Sequence, residues 1–136
     1  MTSALIEHLK TKNNAVIAYT SSLLGFIPIA VTAVYCATKA AIHSYALSQR
    51  FLLKDKGVRV LEIVPPWVRT DLMNSREAEE AMPLDQFLAE AVAGLGTDAD
   101  EIIVGNAKDF RASVGPNEHA LVDGFNTQIA GRFTAG

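Results

Sequence analysis

Three side chains in this sequence have the types and spacing for proton chemistry: Ser22, Tyr35 and Lys39. Tyr35 and Lys39 stand four apart in a helical stretch, so their side chains share a face. An ammonium near a phenol stabilises the phenolate and draws its pKa from about 10 toward neutrality. Such a tyrosine can exchange a proton near pH 7, as general acid–base catalysis requires. Ser22 follows an apolar run of strand length, and catalytic groups of open α/β sheets gather at the carboxyl ends of strands. A Tyr-x-x-x-Lys pair by itself also arises where a tyrosine packs beneath a solvated lysine. The same three groups allow a second chemistry. Ser22 activated by Tyr35 and Lys39 could act as a nucleophile in ester hydrolysis, with backbone N–H groups of residues 22–25 as an oxyanion hole. No Gly-x-Ser-x-Gly elbow accompanies it. A third reading is a non-catalytic interaction module. His8, His43 and His119 are scattered in sequence. His43 falls four residues after Lys39 on the same helix face, either near the site or as a packed or solvated histidine. With one cysteine, Cys36, no His-x-x-x-His and no carboxylate cluster at ligand spacing, no metal site is expected.

The elements that must position these residues alternate. Residues 4–10 have helical character, and Asn13-Asn14 breaks it. Residues 15–19 read as a strand, followed by a loop marked by Gly25 and Pro28. A long helical pattern runs from Ala33 to about Lys54, with Gly57 just beyond. Val58 to Val64 is a strong strand, ended by Pro65-Pro66. Residues 71–81 read as loop or short helix. Pro83 to Leu95 reads as a helix with Pro83 at its first position. Residues 101–104 form a short strand and 107–113 a short helix, and the pattern weakens into a tail after Gly115. Strand–helix alternation of this kind implies an α/β fold with a parallel sheet of about three strands.

Three segments together resemble the short-chain dehydrogenase/reductase family: Ala15-Val-Ile-Ala-Tyr-Thr-Ser-Ser22, Tyr35-Cys-Ala-Thr-Lys39-Ala-Ala, and Pro65-Pro-Trp-Val-Arg-Thr70. Ser22 stands 13 residues before Tyr35, and Pro65 stands 30 after it, spacings similar to the family's own. The resemblance covers about residues 4 to 110 and corresponds to the C-terminal half of a family member. It implies a truncated Rossmann-like, three-layer fold, with residues 1–136 as one domain. It also implies carbonyl/alcohol oxidoreduction of a small molecule with NAD(P). By the resemblance, Tyr35 is the acid/base, Lys39 tunes it and holds the nicotinamide ribose, and Ser22 bonds the substrate oxygen. Pro65, Val68 and Thr70 match positions at the nicotinamide end of the cofactor. Pro66 replaces a common glycine, removing an N–H and fixing φ. Trp67 and residues 71–82 match the variable substrate lid.

The family's glycine-rich phosphate turn, its acidic ribose residue and its catalytic asparagine have no match here. Gly94-Leu95-Gly96-Thr97-Asp98-Ala99 formally fits Gly-x-Gly-x-x-Ala but follows a helix, where a C-cap belongs. The chain is therefore expected to begin at an internal start or to be a truncated product.

At 136 residues with 49% apolar and 20% charged, the chain can build a core. A net charge of −3 argues against nucleic-acid binding through counterion release. The N-terminus has no basic region followed by an apolar run, and residues 23–34 are too short to span a bilayer. A cytoplasmic protein without membrane contact is the expectation. The first strand is expected at an exposed edge. The long helix is expected to lack part of its cover, which predicts a homo-oligomer, a dimer built on the helix of residues 33–54.

Overall fold

A computed structural model describes residues 2–133. The elements run α1 (Thr2–Leu9), β1 (Ala15–Thr20), α2 (Ala33–Leu53), β2 (Val58–Val64), α3 (Leu84–Leu95), β3 (Glu101–Ile103), α4 (Ala107–Ser113) and α5 (Glu118–Phe133). Short 3₁₀ turns occupy Leu23–Gly25, Ala30–Thr32 and Leu72–Glu77. The sheet is parallel throughout in the order β1-β2-β3. Ala15 pairs with Val58 at one end of the β1–β2 ladder and Thr20 with Ile63 at the other. In the second ladder Glu62 pairs with Glu101 and Val64 with Ile103. The α/β, three-layer expectation holds, with the three strands at the anticipated places.

The apolar run of β2 is the hub. Val60 and Val58 pack on one face with Ile17, Leu53 of α2, and Ile6 and Leu9 of α1. Leu61 and Ile63 pack on the other with Ala91 and Phe87 of α3. Burial on both faces is what a central parallel strand requires. Burying a side chain such as Leu61 or Val60 contributes about 1.5–3 kcal/mol. α2 comes close to the sheet because Ala46, fully buried, is small. α3 comes close because position 94 is glycine, where a Cβ would overlap the Ile102 side chain. β1 hydrogen-bonds to β2 alone among the described strands and alternates, with Ala15 and Ile17 inward and Val16 exposed.

Three local readings change. The stretch read as a tail contains α5, whose Leu121, Val122 and Phe125 pack with Leu23, Phe26 and Ile27. Pro83 is the N-cap, with extended ψ of 139°, and the helix starts at Leu84. Gly96 is the C-cap of α3, as read, while Gly94 lies inside the helix and serves helix–strand packing. No helix among the described residues is long and apolar enough to cross a membrane.

Candidate active site

The carboxyl ends of β1 and β2 carry the site. As β1 ends, Ser21 N–H still donates to Ile63 O at 3.0 Å, and Leu23 N–H donates to Pro65 O at 2.9 Å. The serine loop and the proline segment are thereby stitched together. Ser22 is extended and caps the following 3₁₀ turn, its Oγ accepting Leu24 N–H at 3.1 Å. That turn then lies directly on α2. A Cβ on Gly25 would sit 3.0 Å from the Lys39 carbonyl carbon and 3.1 Å from Ala40 N. Only glycine allows this approach, which fixes Ser22 relative to Lys39.

From α2, Lys39 Nζ donates to Thr20 O at 3.1 Å and stands 5.6 Å from the centroid of the half-buried Tyr35 ring. The N-terminus of α2 has no side-chain cap at Thr32. It is held instead by buried Cys36, whose Sγ accepts Ile29 N–H at 3.4 Å. Asn126 of α5 ties the same loop down. Its Oδ1 accepts Ala30 N–H at 2.6 Å and its Nδ2 donates to Pro28 O at 2.8 Å.

After β2, the segment at Val68 bridges to Met82. Arg69 N–H donates to Met82 O and Met82 N–H to Trp67 O, both at 2.9 Å. Ser75, buried, closes the turn between them, its hydroxyl within reach of Leu72 O at 2.7 Å and Val68 O at 3.0 Å. Arg69 knits the far side through the carbonyls of Ala78, Glu79 and Ala81. Met73 and Asn74 adopt left-handed φ of 58° and 52° at the tip.

These loops enclose a cavity of about 770 Å³. Ser22, Tyr35, Lys39, Pro65, Val68 and Thr70 all line it, so the six residues singled out in the sequence come together in space. The sequence reading missed its outer wall from α4 and α5, including Phe110, Phe125 and Ile129.

His43 lies outside the lining and points into the protein. Its Nδ1 is 2.7 Å from Oε2 of Glu62, a fully buried carboxylate in the middle of β2 whose Oε1 has no hydrogen-bond partner. The Phe26 ring stacks edge-on against His43, 4.5 Å between centroids. Beside Glu62 in register, Glu101 is gripped by Arg111 through two bonds of 3.2 Å. Ligand atoms of His43, Glu62 and Glu101 lie within 4.8 Å of one another, close enough for a cation. The sequence reading found no such cluster because its members come from three distant segments. Arg111 already neutralises Glu101 there, so the arrangement works as an ion pair beside a buried His43–Glu62 hydrogen bond. The sequence signal was a glutamate inside an apolar strand.

The donor set of the cavity suits one end of the cofactor that the sequence implies. Lys39 and Thr70 offer an ammonium and a hydroxyl to a ribose and carboxamide. Pyrophosphate donors of the glycine-rich kind are not among these residues.

Residues 1–81 match the family model described as short chain dehydrogenase. The chain belongs to the short chain dehydrogenase family. It is 32% identical over 133 residues to an uncharacterized oxidoreductase, DltE, of Bacillus subtilis, covering 94% of this chain and 53% of that protein. It is 31% identical over 135 residues to the 2,5-dichloro-2,5-cyclohexadiene-1,4-diol dehydrogenase LinX of Sphingobium indicum, covering 98% and 50%. The fold is similar to a short chain dehydrogenase from Burkholderia cenocepacia solved with NADP. The TM-score is 0.78 at 24% identity, over 89% of this chain and 52% of that one. The chain spans about half the length of the curated relatives it matches. These relatives are named as an oxidoreductase and a dehydrogenase, and the hydrolase and non-catalytic expectations draw no support from them.

Proposed function

We propose that this chain supplies the proton-transfer half of a carbonyl–alcohol oxidoreductase that uses NAD(P). The observation that carries the reading is the convergence of Ser22, Tyr35 and Lys39 on one cavity at the strand ends. In the reducing direction, Tyr35 Oη gives its proton to the substrate oxygen. The Ser22 hydroxyl accepts from Leu24 N–H and keeps its own hydrogen to donate to that oxygen. Lys39, anchored on Thr20 O, offsets the charge left on the phenol and presents its remaining donors to the ribose. Pro65, Val68 and Thr70 form the wall against which the nicotinamide end is held. A bound reduced nicotinamide supplies the hydride that completes the reduction. Titrating the chain with NADH and NADPH by fluorescence tests the reading, which expects saturable binding. Tyr35→Phe is expected to lower ketone reduction by about 10²-fold or more. No binding at millimolar cofactor, or an unchanged rate in Tyr35→Phe, overturns it.

The same reading includes a dimer built on α2. Its support is the solvent-facing apolar side of that helix, where Val34 is 81% exposed and Leu52 62%. Light scattering at micromolar concentration is expected to give twice the chain mass, and a monomeric mass refutes it.

A further inference from the structure

We infer that the cavity takes an uncharged carbonyl compound, or its alcohol, with a long apolar arm. The inference rests on the proposed function and adds the class of substrate. Beyond the Ser22–Tyr35–Lys39 corner the walls are Leu72 and Met73 from the lid, Phe87 of α3, Phe110 of α4, and Phe125 and Ile129 of α5. Among the lining residues only Lys39 and Glu80 carry charge. No arginine lines the cavity, although three stand nearby, and each is committed elsewhere. Arg69 is spent on the carbonyls of residues 78–81, Arg76 on Asp71, and Arg111 on Glu101 and the Phe26 face. A carboxylate or phosphate on the substrate arm would lose its water and meet no fork of donors in return. An alkyl chain would exchange water for aromatic and aliphatic wall.

The size agrees with the lining. At about 770 Å³ the cavity is in the range of sites that enclose drug-sized ligands, so with the nicotinamide end of the cofactor against Pro65, Val68 and Thr70 it still has room beyond a three- or four-carbon ketone. The wall is also fixed in place. Asn126 clamps α5 to the loop before α2, and its neighbour Phe125 stacks on Phe110 at 5.3 Å. The far wall and the catalytic helix thus share one anchor, so the arm and the reacting carbonyl are positioned together.

Trp67 is the sole tryptophan of the chain and lines the cavity, so its emission reports occupancy. The purified chain is titrated with 2-butanone, 2-hexanone, 2-octanone and 2-decanone, and with 9-oxodecanoate, which carries a carboxylate at its far end. Equilibrium dialysis of the same compounds gives the affinities independently of Trp67. Affinity is expected to rise about fourfold per methylene, the factor corresponding to about 0.8 kcal/mol for each buried CH₂. That makes 2-decanone about 10²-fold tighter than 2-hexanone, and 9-oxodecanoate is expected to bind at least about tenfold more weakly than 2-decanone. Leu72, 60% exposed on the lid, can be changed without disturbing the core. Leu72→Asp is expected to flatten the ladder, weakening 2-decanone more than 2-butanone. A flat series in the unmodified chain, or 9-oxodecanoate binding as tightly as 2-decanone, overturns the inference. A steep ladder without cofactor-dependent reduction would refute the proposed function and leave the binding class standing. Cofactor-dependent reduction that favours the short ketones would do the reverse.

Discussion

Lys39 and His43 sit one turn apart on the same face of α2, yet they serve opposite ends. Lys39 reaches the last residue of β1, at Thr20 O, and looks into an open cavity. His43, about 6 Å further along the helix, lands on Glu62 in the middle of β2 and is sealed under Phe26. Helical spacing decided that the two share a face. What lies beneath decided their roles. Where the strand has ended, a polar side chain can meet a ligand; where the strand continues, a polar side chain on the same face can only meet a buried partner. Register reinforces the second case. Parallel pairing of β2 with β3 sets Glu62 beside Glu101, and Arg111 pairs with Glu101 while His43 meets Glu62.

Removing each of the two side chains in turn tests that contrast most directly. Lys39→Met is expected to lower carbonyl reduction by about 10²-fold, in steady-state assays at saturating cofactor, with a small change in stability. His43→Ala is expected to do the opposite, costing about 3–5 kcal/mol in urea unfolding because Glu62 loses its partner inside the protein. Replacing His43 and Glu62 together by leucine should recover most of that loss. If His43→Ala unfolds no more easily than a surface variant, the two regions are not distinct. Gly25→Ala should cost about 1–3 kcal/mol, since its Cβ must push the turn off the α2 backbone. A crystal structure of that variant should show Ser22 displaced from Lys39. The smallest effect concerns Glu90, whose carboxyl is held below its usual 4.5, first by Gly105 N–H and then by the Gln86 amide. A lowered folded value means the carboxylate stabilises the fold above about pH 4.5 and ceases to as pH falls through that lower value. Melting temperatures from pH 6 to pH 3 should therefore drop less in Glu90→Gln than in the unmodified chain.

Much of this was legible because it is local. The apolar runs at 15–20 and 58–64 mark the strands, and four-residue spacing puts Tyr35 and Lys39 together. Pro65, Val68 and Thr70 were legible only through the resemblance, and the fold brings them to the strand end with the other three. What escaped depends on contacts between distant segments. α5 carries Gly124, Asn126, Thr127 and Gly131 and has no clean apolar stripe, so its helicity comes from packing against Leu23, Phe26 and Ile27. Asn126 carried no signal in the sequence and acts as a clamp. Gly25 looked like loop punctuation, whereas the contact it permits is with a residue fourteen positions later. Ser75 carried no pattern at all, since its role is to close a turn around carbonyls in its own lid.

The strand that delivers Ser22 also carries a liability for anyone handling the chain. Among the described residues β1 is paired on one side only, and its sequence, Ala15-Val-Ile-Ala-Tyr-Thr20, contains neither charge nor proline. Such a ribbon is a template for adding another strand, with nothing in it to refuse the wrong one. Loss of soluble material should therefore grow with concentration while the fold of each copy is still intact. A lysine in place of the exposed Val16 should slow that loss without touching the cavity.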